Sequence, residues 1–591
     1  QAPQIREMLR DMLNEEIADI FEKMSRILAF KGANRFRSLA YERAARELRD
    51  LEGDLNELAR AGKLDEIPGI GEDLAGKIEE YLKTKHIRQY DEERSDVPEG
   101  LIALMDIAGL GPKTLAQLYE KYHIKDLADL RRALEAGKID KIPGFGQKKI
   151  ENIQRGIDLW LARHQRMPLG LALPLAENLL AEIKKIKGVE RADLAGSLRR
   201  GRETIGDIDL LVISEDSPRV LREFTKLPSI KQVIGLGDTR ATVIIDGGIQ
   251  VDVRAVAREA YGSALQYFTG SKEHSVHLRT IAQKKGLKLN EYGVFRGDKR
   301  LGGKTEDEVY QLLGLPIMPP ELREDRGEIE AALEGSLPDL IELTDLRGDL
   351  HMHTLYSDGH ATIEEMAEGA AAHGYEYIAL TDHSPSARIA NGLDRERLEK
   401  KIEELENVRK KRGERKPRIL MGVEVDILAD GKLDYPDEIL ARCDVVVAAV
   451  HSSFRLSRDR MTERLLKALS NPHVQLLAHP LTRLMGSREA IEFDFERILA
   501  AAVQAGVALE VNAQTLRLDL PDTMARAAQE GGALLAINTD AHSVSQLESM
   551  RYGIYQARRG WIEARSVVNT WPWSKLSRWL GQRRKGKSRA A

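Results

Sequence analysis

Residues 195–209 read Ala195-Gly-Ser-Leu-Arg-Arg-Gly-Arg-Glu-Thr-Ile-Gly-Asp-Ile-Asp209, and this stretch decides the architecture of the first half of the chain. Gly196 and Ser197 mark a turn before a short helix, and Asp207 and Asp209 fall on the strand that follows. Residues two apart on a strand face the same way, so the two carboxylates converge at a like-charge cost that metal ions relieve. Asp252, in Gln250-Val-Asp-Val-Arg254, is placed to join them from a neighbouring strand. Three carboxylates suit a pair of Mg²⁺ (or Mn²⁺) ions, one activating a 3′-hydroxyl and one neutralising a triphosphate and its leaving pyrophosphate.

Working outward, β-type runs at Arg191 to Ala195, Asp209 to Ile213, Thr242 to Ile245 and Gln250 to Val256, after a helix from Ala176 to Ile186, predict a small sheet packed on helices. A helical segment and short turns follow from Tyr261 to Pro316. Upstream, residues 1 to about 165 carry short helical patterns and no strand-like runs. They are punctuated by Ile67-Pro-Gly-Ile-Gly71, Ile107-Ala-Gly-Leu-Gly111 and Ile142-Pro-Gly-Phe-Gly146. In each, the glycine pair (Gly69 and Gly71, Gly109 and Gly111, Gly144 and Gly146) permits a turn with bare backbone N–H groups beside a helix N-terminus. Such a turn attracts a phosphate oxygen without reading sequence. Three copies in about 80 residues predict helix-hairpin-helix contacts to a nucleic-acid backbone.

The chain has 591 residues, which at roughly 150 per domain argues for several domains. Hydrophobic residues make up 42% and charged ones 31%, with no apolar run of the roughly 18 residues a membrane span needs and no leader-like start, so a soluble cytosolic protein is expected. One cysteine excludes a disulfide framework and a thiolate metal cluster. With 90 basic against 94 acidic residues the net charge is −4, so nucleic-acid binding has to be local.

Nine of the 14 histidines lie between His351 and His542, mostly closing short apolar runs. Those runs (Gly348 to His351, Tyr377 to Thr381, Ile419 to Glu424, Val445 to Val450, Val474 to Ala478, Val507 to Val511, Ala533 to Asn538) alternate with helical patterns and predict a seven-stranded parallel β/α barrel. His351 and His353, Asp358 in the next loop, His383, Glu424, His451, His479, Asp540 and His542 would then gather at its C-terminal rim, where barrel active sites lie.

The palm motifs, with Tyr261-Gly-Ser-Ala-Leu-Gln-Tyr-Phe-Thr-Gly-Ser271 and Leu289-Asn-Glu-Tyr292, closely resemble the family X DNA polymerases over residues 20–318. The resemblance implies that Asp207, Asp209 and Asp252 are metal-binding catalytic carboxylates. It places Arg166, Ser197, Arg200, Gly206 and Lys272 at the incoming triphosphate, and Tyr267, Phe268 and Gly270 beneath the sugar, where they exclude a 2′-hydroxyl. Lys272 and Ser275 stand where vertebrate relatives have an aspartate and an asparagine, and Gln250 replaces an arginine beside the third carboxylate. The first hairpin and the helix after it resemble the family's deoxyribose-phosphate lyase domain. There Lys77 matches the Schiff-base lysine, and Arg37 and Tyr41 match the 5′-phosphate pocket. A lysine must lose its proton to attack an aldehyde, and Asp73, in place of a second lysine, works against this.

Residues 346–560 resemble the PHP (polymerase and histidinol phosphatase) domain with all nine ligands present. Imidazole and carboxylate without thiolate suit Mn²⁺, Zn²⁺ or Fe²⁺, up to three ions, with Glu424 a bridge between two. The two-part resemblance, known in bacteria and archaea, implies a nucleoid-associated cytoplasmic enzyme, monomeric, that fills gapped or nicked DNA carrying a 5′-phosphate with dNTPs. A 3′–5′ exonuclease, and AP-endonuclease or 3′-phosphatase activity, would reside in the barrel. The alternatives are a DNA-end scaffold with a structural barrel, and a template-independent nucleotidyltransferase.

The expected domains are 1–90 (lyase-like), 91–168 (helix-hairpin-helix, thumb-like), 169–258 (palm), 259–318 (fingers-like, nucleotide-binding), 319–345 (linker), 346–575 (PHP) and 576–591 (basic tail). The three tryptophans and Lys/Arg run from Trp571 to Ala591 read as a solvated tail.

Overall fold

The structure is a computed structural model that describes residues 17–584, except 19, 51–54, 68, 85, 96, 99–100, 102–103, 106, 108–109, 136–137, 140–141, 143–144, 165, 246 and 486–487. Gly109 and Gly144 therefore lie outside the described residues. Two compact units are present, residues 1–165 and 166–591.

Among its described residues the first unit contains helices and connecting turns and no strand. Apolar residues at helical spacing from each helix, among them Phe21, Leu48, Ile78, Leu115, Leu130 and Ile153, form one core. Each hairpin leads into a helix: Glu72–Thr84, Pro112–Tyr122 and Gln147–His164. Gly69 has a left-handed φ of 78°, which glycine adopts without strain. Gly111 caps its helix, with Pro112 in the first turn.

In the second unit the palm sheet contains β1 (Arg191–Leu194), β2 (Asp207–Ile213), β3 (Ile230–Leu236), β4 (Arg240–Ile245) and β5 (Gln250–Val256) in the order β1-β2-β5-β4-β3. Only β2 and β5 pair in parallel, with Asp209 directly opposite Asp252. The edge strand β3 is not among the predicted runs. It is exposed over most of its length, so its sequence lacks the apolar alternation of a half-buried strand. Two further differences are local. The helix predicted from Ala176 runs from Leu169 to Lys184, and Ser197 lies inside the short helix Gly196–Arg199 rather than before it.

Helices Tyr261–Thr269 and Lys272–Lys284 follow, and the stretch read as turns forms a three-stranded sheet of β6 (Lys288–Asn290), β7 (Gly293–Arg296) and β8 (Lys299–Gly302). Residues 319–345 are no loose linker. Arg323 is fully buried against the Tyr310 ring and pairs with Glu306, while buried Glu328 bonds His274 Nδ1 at 2.6 Å. Matched buried charges hold this segment where its prolines and acidic composition argued for a connector.

The barrel is as predicted: β9 (Gly348–Met352), β10 (Tyr377–Leu380), β11 (Arg418–Asp426), β12 (Val445–Ala449), β13 (Leu476–Leu477), β14 (Ala508–Asn512) and β15 (Leu534–Asn538), all parallel and in chain order. A bridge from Met352 to Ala541 and the Leu350 N–H to Asn538 Oδ1 bond (3.0 Å) bring the end strands together. Strands such as β12 are buried on both faces, hence their unbroken apolar runs. The described part of the tail corrects the solvated reading. Helix Trp573–Arg584 and the residue before Pro572 pack Trp571, Leu576, Trp579 and Leu580 against Leu350, Tyr377 and Val445 in the barrel. The burial of this tryptophan-rich face outweighs the basic residues, which stay outside.

Candidate active sites

The first site lies at the C-terminal side of the Gly196 turn. One ligand atom from each of Asp207, Asp209 and Asp252 lies within 4.8 Å of the others. Parallel pairing of β2 with β5 sets this geometry, and Gly196 is required beside it. Its φ is 62°, and a Cβ there would stand 2.2 Å from Asp209 Oδ2. Burial first, then Asp207 and Asp252, push the Asp209 carboxyl up to about 7. Burial likewise raises Asp207, helped by Asp252. Burial also opposes the charge on Asp252, but hydrogen bonds from Thr242, Arg240 (2.8 Å) and Gln250 (2.9 Å) outweigh it and hold this carboxyl below the usual range. A guanidinium thus reaches Asp252 from Arg240, across the β4–β5 pair.

An open cleft of about 550 Å³ adjoins the triad. Arg166, Ser197, Arg200, Tyr267, Phe268, Gly270 and Lys272 line it, and Gly206 packs under Arg166, where a Cβ would come 3.3 Å from Nη1. Arg202, Ser271 and Arg279 also line it and were missed. Arg202 lies within the stretch 195–209, directly after Gly201, and Arg279 is a helical charge whose direction sequence does not reveal. Ser275 reaches the cleft with its hydroxyl buried and unpartnered. Three carboxylates beside a cationic cleft are a donor set that fits divalent cations next to an anion-binding surface.

In the first unit, Lys77 is buried, bonds the Asp73 carbonyl at 3.3 Å, pairs with the Asp73 carboxylate, and lies 5.8 Å over the Tyr41 ring. Burial, then Asp73, push the Tyr41 hydroxyl up to about 12. Arg37 is half-exposed, 4.0 Å from Glu93. Gly71, Gly111 and Gly146 have open space where a Cβ would stand, so packing does not explain these glycines.

The second site closes the barrel. All nine predicted residues meet at the C-terminal ends of the strands. His353, Asp358, His383 and His542 form one group of potential ligands, His351, His353 and Asp540 another, and His383, Glu424 and His451 a third. His479 Nε2 lies 2.9 Å from Glu424 Oε1. His351 and His353 bring their Nε2 atoms to 3.3 Å of each other, and His353 Nδ1, His479 Nδ1 and Glu424 Oε2 are buried without a hydrogen-bond partner. Facing imidazoles and orphaned buried polar atoms fit metal cations, which satisfy such groups at once. Burial, then His542 and His383, push His353 down to about 4, so it presents a neutral ring, the ligand form. Burial opposes the Glu424 charge, yet His383, His451 and His351 hold its carboxyl well below the usual range.

Behind the ligands stand carboxylates that motif reading missed. Glu510 bonds His351 Nδ1 (2.8 Å), Asp426 bonds His451 Nδ1, and Asp382 accepts from Thr354 N–H (2.8 Å) and Ser357 (2.7 Å) while paired with buried Lys401. The Glu510 and Asp426 bonds fix the orientation and tautomer of the His351 and His451 rings, and Asp382 holds the loop after His353. The available signal was a carboxylate on a wholly buried strand, as in Ala508–Asn512.

A nucleotidyltransferase palm with a cationic triphosphate-sized cleft, fused to a histidine-rich parallel barrel, defines a two-site metallo-nucleotidyltransferase and phosphoesterase class. Family models agree: "Helix-hairpin-helix domain" matches residues 12–87, "SAM-like Helix-hairpin-helix tandem" 101–158, "DNA polymerase beta thumb" 264–324 and "PHP domain" 349–514. The segment read above as fingers-like thus carries the thumb name in that model. The chain is 37% identical over 562 residues to "DNA polymerase/3'-5' exonuclease PolX" of Bacillus subtilis, covering 94% of this chain and 97% of the relative. It is also 26% identical over 348 residues to "DNA polymerase lambda" of Arabidopsis thaliana (53% and 62% covered). The C-terminal part is 31% identical over 238 residues to a "Probable phosphatase" of Thermoanaerobacter sp. (38% and 89% covered). The chain belongs to the PHP-bearing family X DNA polymerases.

Proposed function

We propose that this protein is a DNA-directed DNA polymerase that fills short gaps in repair and trims the 3′ end with its barrel. The carrying observation is the pairing of a carboxylate triad beside an Arg/Lys-lined cleft with three adjoining groups of potential metal ligands in the barrel, joined by His479 against Glu424. Asp207, Asp209 and Asp252 would hold the palm cations, which when bound would activate the primer 3′-hydroxyl and neutralise the triphosphate. Arg166, Arg200 and Lys272 grip the phosphates, Ser197 and the backbone at Gly206 shape the turn around them, and Tyr267, Phe268 and Gly270 close the space a 2′-hydroxyl would need. In the barrel, bound Mn²⁺, Zn²⁺ or Fe²⁺ would supply a nucleophilic water, and the nine ligands fix where the phosphoester must lie. The barrel geometry is equally suited to AP-site or 3′-phosphate cleavage. The hairpin glycines, Arg37 and Tyr41 are assigned to backbone and 5′-phosphate contacts on gapped DNA.

The test is extension and shortening of a labelled primer on one-nucleotide-gapped DNA with a 5′-phosphate, with and without dNTPs, in Mg²⁺ and in Mn²⁺. Extension only with dNTPs and shortening without them support the reading; shortening in neither metal removes the exonuclease assignment.

Proton and cation compete for the palm triad. Because the Asp209 carboxyl is pushed up to about 7, its protonated form dominates below that pH and must release a proton to bind metal. The Mg²⁺ concentration for half-maximal extension is therefore expected to rise by about tenfold for each pH unit below about 7, and to level off above it. A flat Mg²⁺ requirement from pH 6 to 8 would contradict this.

A lyase step needs the Lys77 amine at a C1′ aldehyde, and Asp73 engages that amine. Borohydride trapping on a 5′-deoxyribose-phosphate substrate is expected to be weak in wild type, absent in Lys77→Ala, and raised about threefold or more in Asp73→Asn. Trapping that survives Lys77→Ala would reassign the nucleophile.

A further inference from the structure

At the seam between palm and barrel, three arginines share one carboxylate. Glu324 accepts from Arg200 Nε at 3.0 Å, Arg202 Nη1 at 3.3 Å and Arg559 Nη1 at 2.7 Å. Arg200 and Arg202 line the nucleotide cleft. Arg559 does not; it ends the barrel helix Met550–Arg559 and its side chain is only 3% exposed. Its Nη2 bonds Asp522 at 2.7 Å, and its Nη1 also donates to the backbone carbonyl of Arg200 at 3.0 Å. The same helix sets Tyr555 so close to Gly201 that a Cβ there would fall 2.6 Å from the ring. The barrel therefore touches the phosphate-binding turn by packing, by backbone hydrogen bond and by charge.

The charges oppose one another in a way that matters for an anionic ligand. Glu324 is a counterion that could neutralise Arg200 and Arg202 in place of a phosphate. Arg559, anchored on Asp522, offers it a third guanidinium, so the carboxylate can orient Arg200 without cancelling the cleft's positive charge. Without Arg559 the whole negative charge would face the two cleft arginines, and the Arg200 carbonyl would lose its donor.

We propose that Arg559, a residue of the C-terminal barrel, is a positioning residue for the incoming triphosphate, acting through Glu324 and the Arg200 turn. The inference rests on the reading of the cleft as the triphosphate site. It makes the barrel part of the polymerase site independently of its own metal centre.

The full-length Arg559→Met, Arg559→Met/Glu324→Gln and Arg200→Ala variants are compared with wild type in single-nucleotide gap filling, in primer shortening and in thermal unfolding. Arg559→Met is expected to raise the dNTP KM about tenfold with kcat changed less than about threefold and primer shortening unchanged. The double variant, which removes the orphaned charge, is expected to return KM to within about threefold of wild type. A purely structural role predicts instead that both activities fall with the melting temperature and that the double variant leaves KM raised; that result overturns the proposal. If Arg200→Ala raises KM while Arg559→Met does not, the inference fails and the reading of the cleft stands. If Arg200→Ala leaves KM unchanged, the reading itself fails and takes the inference with it. Should Arg559→Met not fold, Arg559→Lys carries the test. Its ammonium keeps Glu324 but cannot also span to Asp522 and the Arg200 carbonyl, so KM is expected to rise about threefold, and an unchanged KM overturns the proposal.

Discussion

Replacing His353 by alanine is expected to lower primer shortening by about a thousandfold or more, while gap filling keeps most of its rate. His353 belongs to two of the three ligand groups and stands 3.1 Å from Asp540 and 3.3 Å from His351, so its loss opens two neighbouring metal positions rather than one. The palm triad is built on a separate sheet and contains no barrel residue. The measurement is paired: extension and shortening on the same preparation, together with thermal unfolding. A scaffold role for the barrel predicts the reverse, lower thermal stability with primer shortening unaffected. Unaltered shortening in a folded His353→Ala protein would remove the barrel from the chemistry.

The complementary change, Asp252→Ala, is expected to abolish extension by about a thousandfold or more and to leave shortening intact. Asp252 is the triad member kept most readily ionised, through Arg240, Thr242 and Gln250. Burial pushes both Asp207 and Asp209 toward protonation, and two carboxylates offer a pair of divalent cations less charge and fewer oxygens than three, so the pair left behind would hold cations poorly. Removing Asp252 also leaves Arg240 without its carboxylate partner, so Asp252→Asn, which keeps the hydrogen-bonding shape, is the stricter comparison. It should be nearly as inactive, because the missing quantity is charge. If Asp252→Asn extends primers at wild-type rate, the triad reading fails.

Sequence by itself determined the parts of this protein whose signal is local. Asp207 and Asp209 are two apart on one strand, the Gly-x-Gly hairpins precede helices, and six of the seven apolar runs end in or lead into candidate metal-ligand residues; spacing alone carries each of these. The barrel was legible because strands buried on both faces cannot tolerate polar interruption, so they stand out against amphipathic helices. Tertiary structure decided what depends on partners distant in the chain. Arg240 supplies a guanidinium to Asp252 because β4 lies beside β5, a pairing no local pattern states. The segment 319–345 packs through Arg323 and Glu328, whose buried partners lie at Glu306 and His274. The tryptophans after residue 570 read as a tail until the end of the barrel they cover was in view. Arg559 carries no motif at all. Its place beside the Arg200 turn, 359 residues earlier in the chain, follows only from how barrel and palm pack. Charges and exposed strands have little preference of their own; the fold assigns their partners, because a buried ion is stable only where a matching group has been brought to it.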